Sequence, residues 1–480
     1  MINAAPPLRF LLLVALCFAQ PLLADPARAG RLEAGNFTAH ATNADPNPRT
    51  VTFQQPFDTP PVVVALVDDK GSNSSTIRIT NITTTGFDEL ILEPDSWDGR
   101  HIAQDVQYLA VEPGRHVLPD GSIIEAGFAT VSAIQHGGGV TGPSSWASIS
   151  FSAPLPSAPA VIMQLQSANS ETRGVASQSS QPFITASLQN AGPTGFELAL
   201  ERSEAGAGPI PSPETIGWIA FPAGASGSFP DLSGSAVQWS ASVTAANVAG
   251  WDNGCFTNPH GLTSGTVVAI AKKVTRNGGD GGWLRRCSLS ATDIGLTVDE
   301  DTANDTERSH TGEAAAILAF SRPFHARLVP ELSVTKVSQT LPGALGDFAL
   351  PGAVVEYLII VSNSGNAPPN WDSLVLTETL PTEVALVVDD FAAPGSGPLQ
   401  FTDGSPATGL GCSFIALSSP SDCYDFSTDG ISYSYVPVPG PDGTDPAVTH
   451  IRIAPSGFLA ADTGAGPTSL QLRFRARIAE

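Results

Sequence analysis

Val51-Thr-Phe53, Pro56-Phe57, Pro60-Pro61-Val62-Val63-Val64-Ala65, Thr85-Gly86-Phe87 and Val106-Gln-Tyr-Leu-Ala-Val111 form an ordered run of landmarks, and the run recurs. Ile149-Ser-Phe151, Pro154-Leu155, Pro159-Ala-Val-Ile-Met163, Thr194-Gly195-Phe196 and Ile216-Gly-Trp-Ile-Ala-Phe221 repeat it in the same order. A fainter copy keeps Gly265-Thr-Val-Val-Ala-Ile270, Gly295-Leu296 and Ala315-Ala-Ile-Leu-Ala-Phe320. Self-similarity at this spacing marks repeated structural units and has to be read before any single residue. Within each copy, short apolar runs and alternating stretches lie between Gly, Pro, Asn and Asp clusters, which is the pattern of antiparallel strands packed as a sandwich. At Thr83-Thr-Thr-Gly86-Phe87 a tight turn is expected, with Gly86 supplying a positive φ.

Working outward, 480 residues exceed one hydrophobic core and call for three or four domains. With 46 Gly and 41 Pro, and no long amphipathic run, the expected fold class is all-β. The first unit spans 30–123, opening on Leu32-Glu-Ala-Gly35; the second spans 124–239, opening on Ile124-Glu-Ala-Gly127. The third, divergent unit spans 240–321; it lacks a Val-x-Phe opening, for which Val243 and the stretch around Trp251 are the substitutes. Residues 322–330 read as a linker. From 331 to 480 the pattern changes: Leu332-Ser-Val-Thr-Lys-Val337, Val354-Val-Glu-Tyr-Leu-Ile-Ile-Val361, a turn at Asn363-Ser-Gly-Asn366 and a closing Ser469–Ile478 strand indicate an immunoglobulin-like sandwich.

A formal charge of −23 excludes the basic stripe that nucleic-acid binding needs and fits a soluble extracellular chain. Arg9 followed by the apolar run Phe10–Ala19 reads as a signal peptide occupying 1–29, with cleavage after Ala24 or Ala29. Cys17 leaves with it. The mature chain keeps Cys255, Cys287, Cys412 and Cys423, read as two local disulfides of a secreted protein; zinc is the competing reading, weakened by the lack of a CxxC pair. No transmembrane segment is expected.

The landmarks of the first two units together resemble the H-type lectin domain, and the resemblance extends, more weakly, over 31–321. That family is a small antiparallel β-sandwich, usually trimeric, which binds N-acetylgalactosamine-like sugars at sites shared between neighbouring subunits. Three units in one chain would imitate such a trimer. Pro351-Gly352, Glu356-Tyr357, Val361-x-Asn363-x-Gly365-Asn366 and Glu378-Thr-Leu-Pro381 resemble the DUF11 repeat of secreted bacterial surface proteins, an immunoglobulin-like spacer. Some related surface modules carry a Lys–Asn isopeptide staple; Lys336 offers an amine, but the last strand has no Asn, so none is expected.

The resemblance to the lectins implies a sugar site on loops at one end of the sandwich. Asp45 lies where the family has its Asp, Trp97 where it has a Trp, and Asp98 replaces the adjoining His, with His101 three residues later. An Arg belongs on the strand before the turn, where Arg78 and, in the third unit, Arg285 stand. An indole stacks on the apolar face of a pyranose, and a carboxylate accepts hydrogen bonds from hydroxyls. Packing and hydrogen bonding within the sandwich are the plainer roles for Trp97 and for the paired His101 and His310. Asp299, Asp301 and Asp305, with Asn304 between, form an acidic loop whose oxygens suit calcium, although it lacks the Gly and final Glu of an EF-hand. No other cofactor is indicated. Without a nucleophile elbow, a His-Glu-x-x-His pair or a phosphate loop, the chain reads as non-enzymatic. The expected function is therefore lectin-like binding of glycans or surface polysaccharide at or outside a bacterial surface; the alternative is a structural spacer without a sugar site.

Overall fold

The computed structural model describes residues 30–479 apart from 95, 137–143, 174–179, 203–209, 280, 304–305, 344–345, 347 and 371. The expected signal peptide, residues 1–29, therefore lies outside the described residues. The protein is all-β: apart from a short 3-10 turn at Trp251–Asn253, the regular elements among the described residues are strands.

The first sandwich comprises β1 (Gly30–Ala39), β2 (Arg49–Thr52), β3 (Val62–Val67), β4 (Thr76–Thr80), β5 (Gly86–Leu92) and β6 (Gln104–Val111). β1, β6 and β3 form one antiparallel sheet; β2, β5 and β4 form the other. Phe53, Phe57, Val63, Ala65, Ile79, Phe87 and Tyr108 fill the space between them. The opposite face of the first sheet is buried as well, through Leu32, Val62, Val64, Leu66, Leu109 and Val111. Burial on both faces explains why Val62-Val-Val-Ala-Leu-Val67 shows no polar alternation.

The same plan follows twice. β7 (Gly114–Val117), β8 (Ile123–Val131), β9 (Ile134–Gln135), β10 (Ala147–Ser150), β11 (Pro159–Leu165), β12 (Thr172–Arg173), β13 (Ser180–Gln181), β14 (Thr185–Gly192), β15 (Gly195–Glu201) and β16 (Glu214–Pro222) build the second sandwich. β17 (Ser226–Pro230), β18 (Ala236–Val243), β19 (Phe256–Pro259), β20 (Val268–Lys273), β21 (Trp283–Leu289), β22 (Asp293–Asp299) and β23 (Ala315–Phe320) build the third, and β24 (Phe324–Leu328) returns to the sheet of the first. The larger sheets are ordered β11-β16-β8-β7 and β17-β18-β23-β20, matching β24-β1-β6-β3. Each closing strand thus turns into a short strand that pairs with the first strand of another sandwich: β7 with β8, β17 with β18, and β24 with β1. Residues of all three sandwiches share one core, among them Val64, Ile162, Phe221, Trp239 and Ile270, each fully buried or nearly so and worth about 1.5–3 kcal/mol if a large aliphatic or aromatic side chain.

β3, β11 and β20 are the free edges of their sheets and lie against one another. Edge N–H and C=O groups need partners once buried. Glutamines supply several: Gln107 Nε2 donates to Val267 O (3.3 Å), while Ala269 N donates to Gln107 Oε1. Gln166 Nε2 donates to Val63 O (2.7 Å).

Three sequence expectations change. Residues 322–330 are not a plain linker, because β24 pairs with β1 over Gly30–Ala34 and buries Phe324, Ala326 and Leu328. The third sandwich opens on β19, where Thr257 faces Gly295 as Thr52 faces Gly86; Val243 ends β18 and Trp251 lies in the 3-10 turn. The division at 239/240 accordingly falls inside β18. Gly86 does not have a positive φ; a side chain is excluded there because a Cβ would sit 2.3 Å from the Val51 carbonyl oxygen, and the same approach to Ile149 recurs at Gly195.

The C-terminal portion comprises β25 (Leu332–Thr340), β26 (Val354–Asn363), β27 (Leu376–Thr379), β28 (Val384–Val387), β29 (Leu399–Asp403), β30 (Tyr424–Ser427), β31 (Thr444–Asp445), β32 (His450–Ile453) and β33 (Thr468–Ile478). A sheet ordered β25-β26-β33-β28-β31, with β29 also on β33, faces β27-β32-β30 across Ile359, Phe426, Ile451, Leu472 and Phe474. Lys336 forms an ion pair with buried Glu378. The two expected disulfides, Cys255–Cys287 and Cys412–Cys423, are formed. No helix among the described residues is long and apolar enough to cross a membrane.

Candidate functional site

The loop after β1 and the loop before β6 are joined at one end of the first sandwich. Thr42 N donates to His101 O (2.9 Å), and His101 N donates to Thr42 Oγ1 (2.8 Å). This brings the Asp45 loop beside the segment that carries Trp97 and Asp98. His40 supports the first loop from below: its ring nitrogens pair with Glu89 Oε1 (2.8 Å) and with Asp45 O (2.9 Å). Burial pushes the Glu89 carboxyl up, against the opposing pull of His40.

Asp45 presents its carboxylate at the rim. Its Oδ1 accepts hydrogen bonds from Asn47 N and Nδ2, and Oδ2 lies 3.3 Å from Arg49 Nη2; the Asn47 bonds hold its pKa below the ordinary value. Asp98 is exposed and accepts a bond from Arg100 N (3.0 Å). Trp97 is half-buried, and its indole N–H is turned inward without a partner among the described residues. One ring surface rather than the polar edge is thus what it can offer a ligand. Glu93 lies under this loop, fully buried; its Oε2 accepts from Gly99 N (2.9 Å), Oε1 has no partner among the described residues, and burial pushes the carboxyl up to about 7. Glu93 was not singled out in the sequence, where its only mark is a carboxylate directly after the buried Leu92. Ser96 Oγ accepts from Thr302 N (3.2 Å), so the rim borders the third sandwich.

The other expected site residues take different places. Arg78 is 4% exposed, and its guanidinium runs to the second sandwich, donating from Nε to Glu171 Oε2 (2.8 Å) and from Nη2 to Ile184 O (2.6 Å). Its hydrogen bonds join two sandwiches instead of serving the rim. Arg285, fully buried, donates to Asp68 O, Asn73 O and Lys70 O and forms an ion pair with Asp299 (2.8 Å), clamping the third sandwich to the first. His101 is buried; its Nδ1 lies 3.0 Å from Ile102 O and its Nε2 3.2 Å from Ser75 Oγ, and burial lowers its pKa. It packs the loop and does not face solvent. His310 lies between Glu300 and Glu313: burial opposes its charge, but the hydrogen bonds with both carboxylates outweigh this and raise its pKa. Burial likewise works to raise Glu313, yet the bond with His310 and the nearby Lys273 bring it down to about 2.

The described residues of the acidic loop, Asp299 and Asp301, are both engaged within the fold. Asp299 is neutralised by Arg285 and by Arg308 (3.5 Å), and Asp301 is buried with Oδ1 accepting from Ala303 N. Asn304 and Asp305 lie outside the described residues. Among the described residues no group of three His, Cys, Asp or Glu side chains is placed to hold a metal ion.

The Thr42–His101 bonds therefore tie the loop that carries Asp45 to the segment that carries Trp97 and Asp98. No curated protein matches the chain. Residues 48–111, running from just before β2 to the end of β6 and including Arg78, Trp97, Asp98 and His101, carry an H-type lectin domain.

Proposed function

We propose that the chain is a secreted, non-enzymatic carbohydrate-binding protein whose first sandwich holds glycan at the rim formed by Asp45, Trp97 and Asp98. The observation that supports this reading is the Thr42–His101 stitch, which ties the Asp45 loop to the Trp97 segment of the H-type lectin domain at 48–111. The three sandwiches act as one body in the manner of the family's trimer; the circular hand-over of β7, β17 and β24 and their common core support this. The C-terminal immunoglobulin-like portion is a DUF11-type spacer, and two disulfides suit an oxidising location at or outside a bacterial surface.

Titration calorimetry with N-acetylgalactosamine tests the proposal. Binding by the parent chain that is lost in Trp97→Ala, with the melting temperature unchanged, supports it; no heat from the folded parent at millimolar sugar refutes it. A second reading, a structural spacer with an eroded sugar site, draws on Arg78 being spent on Glu171 and on Asp98 standing where the family has His. Silence toward galactosamine-type sugars favours that reading.

A further inference from the structure

Where β3, β11 and β20 meet, three different residues occupy equivalent points. Leu66, Gln164 and Lys272 stand opposite Gln107, Gly217 and Ala316, each four places before Val111, Phe221 and Phe320 in the respective closing strands. Beside them lies a cavity of about 40 Å³ to which all three sandwiches contribute: Arg78 from the first, Gln164 and Thr185 from the second, Lys272, Lys273 and Trp283 from the third.

The charges around this cavity do not balance. Arg78 is matched by Glu171. Lys273 lies 4.0 Å from Glu313 and donates to Gly281 O. Lys272 is half-buried and lines the cavity, and no carboxylate of the described residues pairs with it. Its Nζ donates to Gln164 Oε1 (2.7 Å), and the Gln164 amide is oriented by its own donation to Ile77 O (2.9 Å). An ammonium has three N–H donors, so two remain. Thr185 Oγ1 is buried without a partner among the described residues, at the same cavity. A buried hydroxyl without an acceptor or donor and a half-buried ammonium with spare N–H groups, facing one small cavity, are both better placed when something bonds to them.

We propose that this cavity is a binding site for a small monovalent anion of chloride size, held by the Lys272 ammonium and the Thr185 hydroxyl. The space suits the occupant: a water needs roughly 10–15 Å³ on this measure, so the cavity admits one such ion with a water or two and excludes a sugar. Left empty of anion, the lysine is pushed down to about 7 by burial and then by Arg78, which makes it prone to discharge near neutrality. The anion restores its charge and joins the three sandwiches through one shared group.

Crystals of the full chain soaked in bromide, with anomalous diffraction recorded, test the site directly. Melting at pH 6 in chloride against gluconate of equal ionic strength tests it in solution. The expected results are a bromide peak between Lys272 Nζ and Thr185 Oγ1, and a melting temperature that rises by a few degrees from 1 to 100 mM chloride. Lys272→Met, which keeps length while removing the charge, should fold, lose the peak and lose the chloride response; Thr185→Val should weaken both. Absence of the bromide peak in the parent, or an equal chloride response in Lys272→Met, overturns the proposal.

Discussion

Replacing Arg78 by Ala separates a structural arginine from a sugar-binding one. Among the described residues, the substitution removes the only cation bonded to Glu171, whose side chain is 4% exposed, and takes the donor from Ile184 O. Removing one partner of a buried ion pair costs about 3–5 kcal/mol, mostly because the remaining charge is stranded. The three sandwiches share a core, so roughly 300 residues unfold together; at about 2.1 cal/mol/K per residue their unfolding entropy is about 0.6 kcal/mol/K. The melting temperature should therefore fall by about 5–8 °C, as read by calorimetry. Arg78→Met with Glu171→Leu removes both charges and should recover most of the loss. Sugar affinity, measured well below the melting temperature, should be unchanged in the double variant. An unaltered melting temperature in Arg78→Ala, combined with lost sugar binding, would falsify the structural role and return Arg78 to the ligand site.

Three further perturbations probe other parts of the chain. Cys255→Ser with Cys287→Ser opens a loop with a sequence separation of 32, for which chain entropy gives roughly 4 kcal/mol; calorimetry should show a melting temperature lower by about 6 °C. His310 has a raised pKa, so the stability it adds is complete below its ordinary 6.5 and is lost as pH rises through the raised value; a pH series of melting temperatures should show this decline, flattened in His310→Gln. Glu313 acts at the other end, adding stability above 4.5 that is lost as pH falls toward about 2. Glu93, raised to about 7, favours the fold most below 4.5 and loses that contribution as pH rises through 7. Glu93→Gln keeps an acceptor for Gly99 N and should gain on the parent from pH 5 to pH 8; a constant difference between the two melting curves would show that Glu93 does not titrate in this range.

The repeated sandwiches were legible because their signals are local. The closing Val106–Val111 run, the unbroken Val62–Val67 run and the turn glycines each follow from a few neighbouring residues. β24 was not legible: Phe324-His-Ala-Arg-Leu328 follows a proline, and its partner β1 lies nearly the whole three-sandwich length away in sequence. β19 was hidden because buried Asn258 takes the place that Phe53 and Phe151 hold in the other sandwiches. The disulfides were readable from four cysteines in two local pairs. Within the site, residue types were visible but directions were not: Arg78, Arg285 and Asp299 have the chemistry of ligand contacts, yet tertiary pairing turns each toward another sandwich. The Thr42–His101 bonds that tie the two loops have no local signature.

The junctions between sandwiches are unlike one another, and this constrains how the chain assembles. Gln107 serves the edge of β20, Gln166 serves β3, Arg78 reaches Glu171, and Arg285 clamps the loop from Asp68 to Asn73. Each polar key fits one neighbour, so exchanging two sandwiches would leave buried donors and acceptors unmatched at about 1–3 kcal/mol apiece. Three identical subunits cannot carry such keys, since symmetry repeats each residue at every junction. Three copies of Leu66 around the meeting point would supply no polar group, and three copies of Lys272 would bury three like charges in about 40 Å³. Placing Leu66, Gln164 and Lys272 together requires divergent sandwiches, and it is this asymmetry that leaves the Lys272 ammonium without a carboxylate beside the cavity.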